Sequence, residues 1–210
     1  MSIPERPVGM PGLMRPRRPE DFDAIYAGRP PWDIGHPQPA FLELAQTGRI
    51  RGRVLDAGCG TGEHALMAAG MGLDATGIDA ARAAIAAAER KAAERGLAAR
   101  FVVGNALELE SLGEQFDTVL DSGLFHVLDD DDRLRYVDSL RAVVGAGGVY
   151  HMLCFSDRQP GSLGPRRVSQ DEIRASFANG WRVDSIEAVR IETIDERERP
   201  LAWRASITRI

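Results

Sequence analysis

The chain has 210 residues, of which 44% are hydrophobic and 27% charged, with a formal net charge of −5. This length suits one sizeable α/β domain rather than two, and the acidic balance argues against a nucleic-acid backbone as partner, which needs a concentrated basic face. No apolar run approaches the ~20 residues of a membrane span, the first twenty residues have no apolar signal core, and Cys59 and Cys154 make no disulfide framework, so a cytoplasmic enzyme or binding protein is expected.

Residues 1–20 carry five prolines and no periodicity, which predicts a tail ahead of a single domain at 21–210. The segment DFDAIYAGRPPWDIGHPQPAF sets Phe22, Tyr26, Trp32 and Phe41 among prolines and glycines, and a helix is expected from Gln38 to Gln46, stopped by Gly48. An alternating series follows. RVLDAG is a strand entering a glycine turn, EHALMAAGMG a helix, ATGID a strand, and ARAAIAAAERKAAERG an Ala-rich helix stopping at Gly96. RFVVGN and FDTVLDSG are strands three and four. DDRLRYVDSLRAVVGAGG fits a helix with apolar Leu134, Val137, Leu140 and Val144, and VYHMLCF a fifth strand. SQDEIRASFANG opens on a capping box, Ser169 to Glu172. WRVDSIEAVRIETI and LAWRASITRI close the chain as two strands with no helix between them. The expected fold is a seven-stranded, mostly parallel Rossmann-like sheet with helices on both faces and an antiparallel hairpin at the C-terminal edge.

The strongest chemical signal is VLDAGCGTG. Asp56 ends a strand, and Gly58, Gly60 and Gly62 let the backbone approach a ligand with no Cβ in the way. Asp79, 23 residues after Asp56, ends the second strand, where a carboxylate can accept from both hydroxyls of a ribose. A dinucleotide fold shares this layout. Three features speak for another cofactor: the spacing G-x-G-x-G, the acid two residues before the first glycine, and Asn105-Ala106 at the end of strand three, where an amide and a backbone N–H can read an adenine edge.

VLDAGCGTG, GID, GNALEL and FDTVLDSGLFH, in this order, resemble the motif series of class I S-adenosylmethionine-dependent methyltransferases. WDIGHPQPAFLEL and DSGLFHVL look like the branch of thiopurine and heterocyclic-toxin methyltransferases. The resemblance implies that S-adenosylmethionine is the cofactor and a small heterocycle, thiol or hydroxyl the acceptor. It also implies that Asp56 serves the methionine amino end, that the three glycines line the cofactor, that Asp79 holds the ribose, and that Asn105 and Ala106 read adenine. The family usually has Asp where Asn105 stands. A binding protein that uses the same pocket without methylating is the main alternative, and a nicotinamide oxidoreductase a distant one.

Asp121, Phe125 and His126 follow strand four at the carboxyl edge of the sheet. There Asp121 is a cofactor candidate, Phe125 a substrate candidate and His126 the one histidine placed to act as a base, although methyl transfer to sulfur or a heterocycle often needs none. His64 and His151 fall inside predicted elements and read as structural. The resemblance places 21–48 as a lid, with Tyr26 near substrate and Trp32 near the cofactor, where an aromatic face suits a sulfonium. Arg166 and Arg167, after strand five, are candidates for an anionic substrate. Asp129 to Asp132 reads as helix capping rather than a metal cluster.

Overall fold

The computed structural model describes residues 19–26, 28–162, 164–195 and 197–210. The expected tail at 1–20 therefore lies outside the described residues up to position 18. Seven strands form one sheet in the order β3-β2-β1-β4-β5-β7-β6. They are β1 (Arg53–Ala57), β2 (Asp74–Asp79), β3 (Ala99–Val103), β4 (Phe116–Ser122), β5 (Val144–Phe155), β6 (Trp181–Arg190) and β7 (Leu201–Arg209). The first five pair in parallel, and β7 lies antiparallel between β5 and β6. The expected C-terminal hairpin is present, with its second strand inserted against β5.

The helices are α1 (Pro19–Tyr26), α2 (Pro39–Gln46), α3 (Glu63–Gly70), α4 (Arg82–Arg95), α5 (Asp130–Val143) and α6 (Gln170–Ser176). Two apolar layers sandwich the sheet. One gathers Leu55, Phe116, Tyr136, Leu140, Tyr150 and Phe177, and the other Phe41, Leu44, Val54, Leu120 and Leu153. Central β1 is buried on both faces, so Val54, Leu55, Asp56 and Ala57 are inaccessible in succession and show no inside–outside alternation.

Helix α1 is tied down by Asp23, whose carboxylate accepts from Ala83 N–H at 2.9 Å in the first turn of α4. Helix α5 departs from the sequence expectation at its end and on its buried face. Helix α5 ends at Val143, and Val144 opens β5 opposite Phe116, so Val144 belongs to the sheet. The glycines at 145, 147 and 148 lose too much backbone entropy to extend a helix, and Gly147 takes a left-handed φ of 81°. Leu134 points outward at 64% exposure, while Arg133, Tyr136, Val137, Leu140 and Val143 form the buried face. The capping box forms as expected: Ser169 Oγ accepts from Glu172 N–H at 3.1 Å, and Ser169 N–H donates to Glu172 at 2.8 Å. Asp129 caps α5 through the N–H of Asp132 at 2.9 Å.

His151, on β5, is 1% exposed. Its Nε2 sits 3.3 Å from the Arg49 carbonyl and its Nδ1 2.9 Å from Ser206 Oγ, an arrangement that suits a neutral ring. Burial lowers its pKa to about 4. A histidine held neutral in the fold contributes stability that is complete above its ordinary value of ~6.5 and is lost as pH falls from there toward the folded value. Replacing it with an uncharged side chain removes that term. Between about pH 7.5 and about pH 5, wild type should lose roughly 2 kcal/mol relative to His151→Gln, read from urea unfolding at each pH.

Candidate functional site

Strand order reverses between β1 and β4, so their carboxyl ends diverge and open a crevice, the usual ligand position in such sheets. The glycine turn lies there, and the end of β2 clasps it. Asp79 accepts from Gly60 N–H and from Ala81 N–H, each at 2.8 Å, while Cys59 N–H donates to the Ile78 carbonyl at 3.0 Å. Burial raises the pKa of Asp79, and backbone donors at Ala81, Gly60 and Ala80 oppose that rise. A carboxylate has about four acceptor positions, so these donors leave acceptor capacity for a ligand hydroxyl.

Space explains the glycines. A Cβ on Gly58 would lie 3.2 Å from the Leu124 side chain, and one on Gly60 would lie 2.7 Å from Tyr26 Oη. Gly62 has φ 85°, and a Cβ there would press on Phe101 and Ala88 at 2.7 and 2.8 Å. The glycines thus let Leu124, Tyr26, Phe101 and Ala88 close on the turn, which lies between Asp56 and Asp79, and this set of backbone donors and carboxylates fits an adenosyl amino acid.

Asp56 is 1% exposed, and one of its oxygens accepts from Ala65 N–H at 3.1 Å. Burial raises its pKa to about 8, with the nearby Asp79 and Asp121 adding to the rise. Asn105 is exposed and turned onto its own chain: its carbonyl oxygen accepts from Leu107 N–H at 3.0 Å, capping a short 3₁₀ segment that begins at Ala106. Such local capping is the usual competitor for an Asn side chain.

The residues after β4 divide. Asp121 is fully buried, and its carboxylate accepts from Tyr150 Oη at 2.7 Å, Tyr136 Oη at 3.1 Å, Leu124 N–H at 2.8 Å and Phe125 N–H. Burial lifts its pKa to about 6 against those donors. Phe125 is also fully buried, 6.0 Å from the Phe177 ring and beneath the Arg133 guanidinium. Both residues face the core that shapes the loop. Their position after strand four suggested the edge, but the side chains turn inward because two tyrosines and an apolar cluster await them.

His126 is 7% exposed, with its ring edge-on to Phe155. Its Nδ1 accepts from Phe155 N–H at 3.0 Å. Burial lowers its pKa to about 3, and the charges of Arg133 and Arg167 lower it further. The ring is therefore neutral, and its proton sits on Nε2, beside Gly123. A nitrogen that carries a proton donates and cannot serve as a base.

The N-terminal segment packs over the cradle. Trp32 Nε1 donates to Tyr26 Oη at 3.0 Å, and the two rings meet edge-on at 6.4 Å. Burial raises the pKa of Tyr26. Sequence reasoning missed the fasteners: Thr61 Oγ1 donates to Asp33 at 2.7 Å, Lys91 Nζ reaches Thr61 at 2.6 Å and Glu63 at 2.8 Å, and Ile194 N–H donates to the Pro31 carbonyl at 2.9 Å. A threonine inside the glycine motif was the one visible hint. Arg166 pairs with Asp130 and Glu172, and Arg167 lies over the Phe155 ring at 5.3 Å while donating to the Gln159 carbonyl. Trp32 is 40% exposed, so its truncation is not a core deletion. Trp32→Ala should cost about 1 kcal/mol or less in denaturant unfolding, against the 3–5 kcal/mol of a buried tryptophan.

Residues 54–148 match the model of a family described as a methyltransferase domain. The 2-heptyl-1-hydroxyquinolin-4(1H)-one methyltransferase of Mycobacteroides abscessus is 40% identical over 168 residues, covering 79% of this chain and 74% of that protein. A solved structure described as "Conversion of a Disulfide Bond into a Thioacetal Group during Echinomycin Biosynthesis" shares 40% identity at a TM-score of 0.85, covering 91% of this chain and 93% of the other. Magnesium protoporphyrin IX methyltransferase from Synechocystis PCC 6803, solved with bound S-adenosylmethionine, is 18% identical at a TM-score of 0.62, covering 91% and 79%, a likeness of fold. With the glycine cradle, the paired acids and the seven-stranded sheet, these similarities identify the chain as a member of the class I S-adenosylmethionine-dependent methyltransferases, acting on a small-molecule acceptor.

Proposed function

We propose that the acceptor is a small heterocycle whose oxygen or sulfur is acidic enough to ionise in water, and that the enzyme methylates the anion without a general base of its own. The hydrogen bond from Phe155 N–H to His126 Nδ1 carries this reading, because it leaves His126 as a donor facing the loop after β4. Arg133 and Arg167, whose charges already depress His126, add a positive field that favours a bound anion. The relative of 40% identity named for a 1-hydroxyquinolin-4(1H)-one, an acidic N-hydroxy heterocycle, supports this reading.

S-adenosylmethionine, when bound, supplies an electrophilic methyl carbon on a sulfonium sulfur. In this reading Asp79 holds the ribose, Asp56 the methionine amino group, and Asn105 with the Ala106 N–H the adenine. Gly58, Gly60 and Gly62 allow the close approach. Tyr26 and Trp32 cover the donor and exclude water, which preserves the strength of the polar contacts beneath them. His126 Nε2–H holds the acceptor's anionic atom in line, and orientation of that kind provides much of the acceleration in a displacement. Arg166, bound up with Asp130 and Glu172, fastens the rim.

The test is the pH dependence of kcat/KM across 1-hydroxyquinolin-4-one, a heteroaryl thiol and phenols of graded acidity, with S-adenosylhomocysteine as the measured product. Rates should rise with pH and level off at each acceptor's own pKa. One inflection common to all acceptors would mean that an enzyme base removes the proton, against the proposal. His126→Phe should lower kcat by roughly tenfold or more, the lower end of what losing one preorganised donor to an anion costs.

A further inference from the structure

His64 sits in the first turn of α3, 8% exposed, edge-on to Phe41 with the ring centres 4.9 Å apart. Its Nε2 accepts from the backbone N–H of Gln38 at 3.1 Å, which places the ring proton on Nδ1. That nitrogen lies 3.9 Å from Asp56 Oδ1, while the other carboxylate oxygen is held by Ala65 N–H. Gln38 is itself clamped. Its side-chain amide pairs with the main chain of Glu192 in both directions, at 3.0 Å to the carbonyl and 2.9 Å from the N–H. One continuous series of contacts thus runs from the β6–β7 connection, through the N-terminal segment and the His64 ring, to the acid of the glycine turn.

We propose that His64 is a positioning residue for the cofactor: its Nδ1–H faces the open oxygen of Asp56 and orients that carboxyl group toward the amino group of the methionine end, and the main chain of Gln38 sets the ring's orientation. This rests on the assignment of Asp56 to that amino group. A carboxylate among apolar strands gains little from bulk water, so a fixed dipole on its open side decides how readily it holds charge. The same ring reads the seating of the N-terminal segment, because a shift of Gln38 removes the hydrogen bond that fixes its tautomer. The cradle's acid and its cover are thereby coupled.

The experiment measures dissociation constants by calorimetry for two ligands: S-adenosylhomocysteine, and its analogue with the α-amino group replaced by hydrogen. His64→Phe keeps the ring packing against Phe41 and removes both nitrogens. It should weaken S-adenosylhomocysteine about tenfold while changing the analogue less than about twofold. His64→Gln puts its amide where Nε2 stands, with a carbonyl oxygen able to accept from Gln38 N–H and no group at the Nδ1 position beside Asp56, and should show the same selective loss should the Phe variant fail to fold. Equal losses for both ligands, or no loss for either, would overturn the proposal. Asp56→Asn is run beside them. Selectivity in Asp56→Asn but not in the His64 variants removes His64 alone, whereas no selectivity in Asp56→Asn removes the Asp56 assignment and the proposal with it.

Discussion

The grip of Asp79 on the glycine turn is the interaction on which the site depends. A five-residue strand, β1, delivers the chain to the carboxyl edge of the sheet, where three glycines must reverse it within a few residues and start α3. Backbone that bends this sharply leaves N–H groups without partners. Asp79, at the end of the adjacent strand, takes one of them at Gly60 and another at Ala81, so a single carboxylate fixes the turn and the start of α4 together. Register makes this possible: Ala57 of β1 pairs beside Ile78 of β2, which sets the turn and the acid at the same height. The shape of the turn and the start of α4 are therefore one constraint, and Asp79 serves both.

Around that clasp the protein buries an unusual set of ionisable groups. Asp56 and Asp121 are almost inaccessible, and burial raises the pKa of each. His64 and His126 are buried nearby with lowered values. Burial shifts acids and bases in opposite directions, and in both cases toward the neutral form. The outcomes differ because the partners differ. Asp121 is surrounded by four donors and serves the loop after β4, while Asp56 has one oxygen on Ala65 N–H and the other 3.9 Å from His64 Nδ1. His126 spends its acceptor nitrogen on Phe155 and His64 spends its own on Gln38, so each ring is left with a single N–H to offer. Two backbone amides thus decide that these histidines donate.

The cover over the cradle is held from two sides. Asp33, Thr61, Lys91 and Glu63 fasten it to the glycine turn and α4, and Gln38 with Pro31 fasten it to the β6–β7 connection. None of these contacts is strong alone. Their value lies in tying a segment of little regular structure to two rigid elements, which limits the states it can visit without burying it. Trp32 stays partly exposed as a result.

Much of this was legible in the sequence. The alternation of apolar runs with glycine stops marks strands and helices because each element must bury one face, and the spacing of Asp56, the glycines and Asp79 follows from the geometry of a strand, a turn, a helix and a strand. The capping box at Ser169 and the cap at Asp129 are local, so nearby residues suffice to reveal them. Side-chain direction was not legible. Asp121 and Phe125 occupy the edge by position, yet they turn inward because Tyr136, Tyr150 and Phe177, distant in sequence, supply their partners. Likewise the role of His126 depends on the Phe155 amide, 29 residues away, and that of His64 on Gln38, 26 residues away. The sequence by itself determined the order of elements and the cofactor cradle, which rest on short-range spacing and chain stereochemistry. Only the tertiary structure decided which nitrogen carries each proton and which donors each buried carboxylate meets, because those choices are made by hydrogen-bond partners that folding brings together.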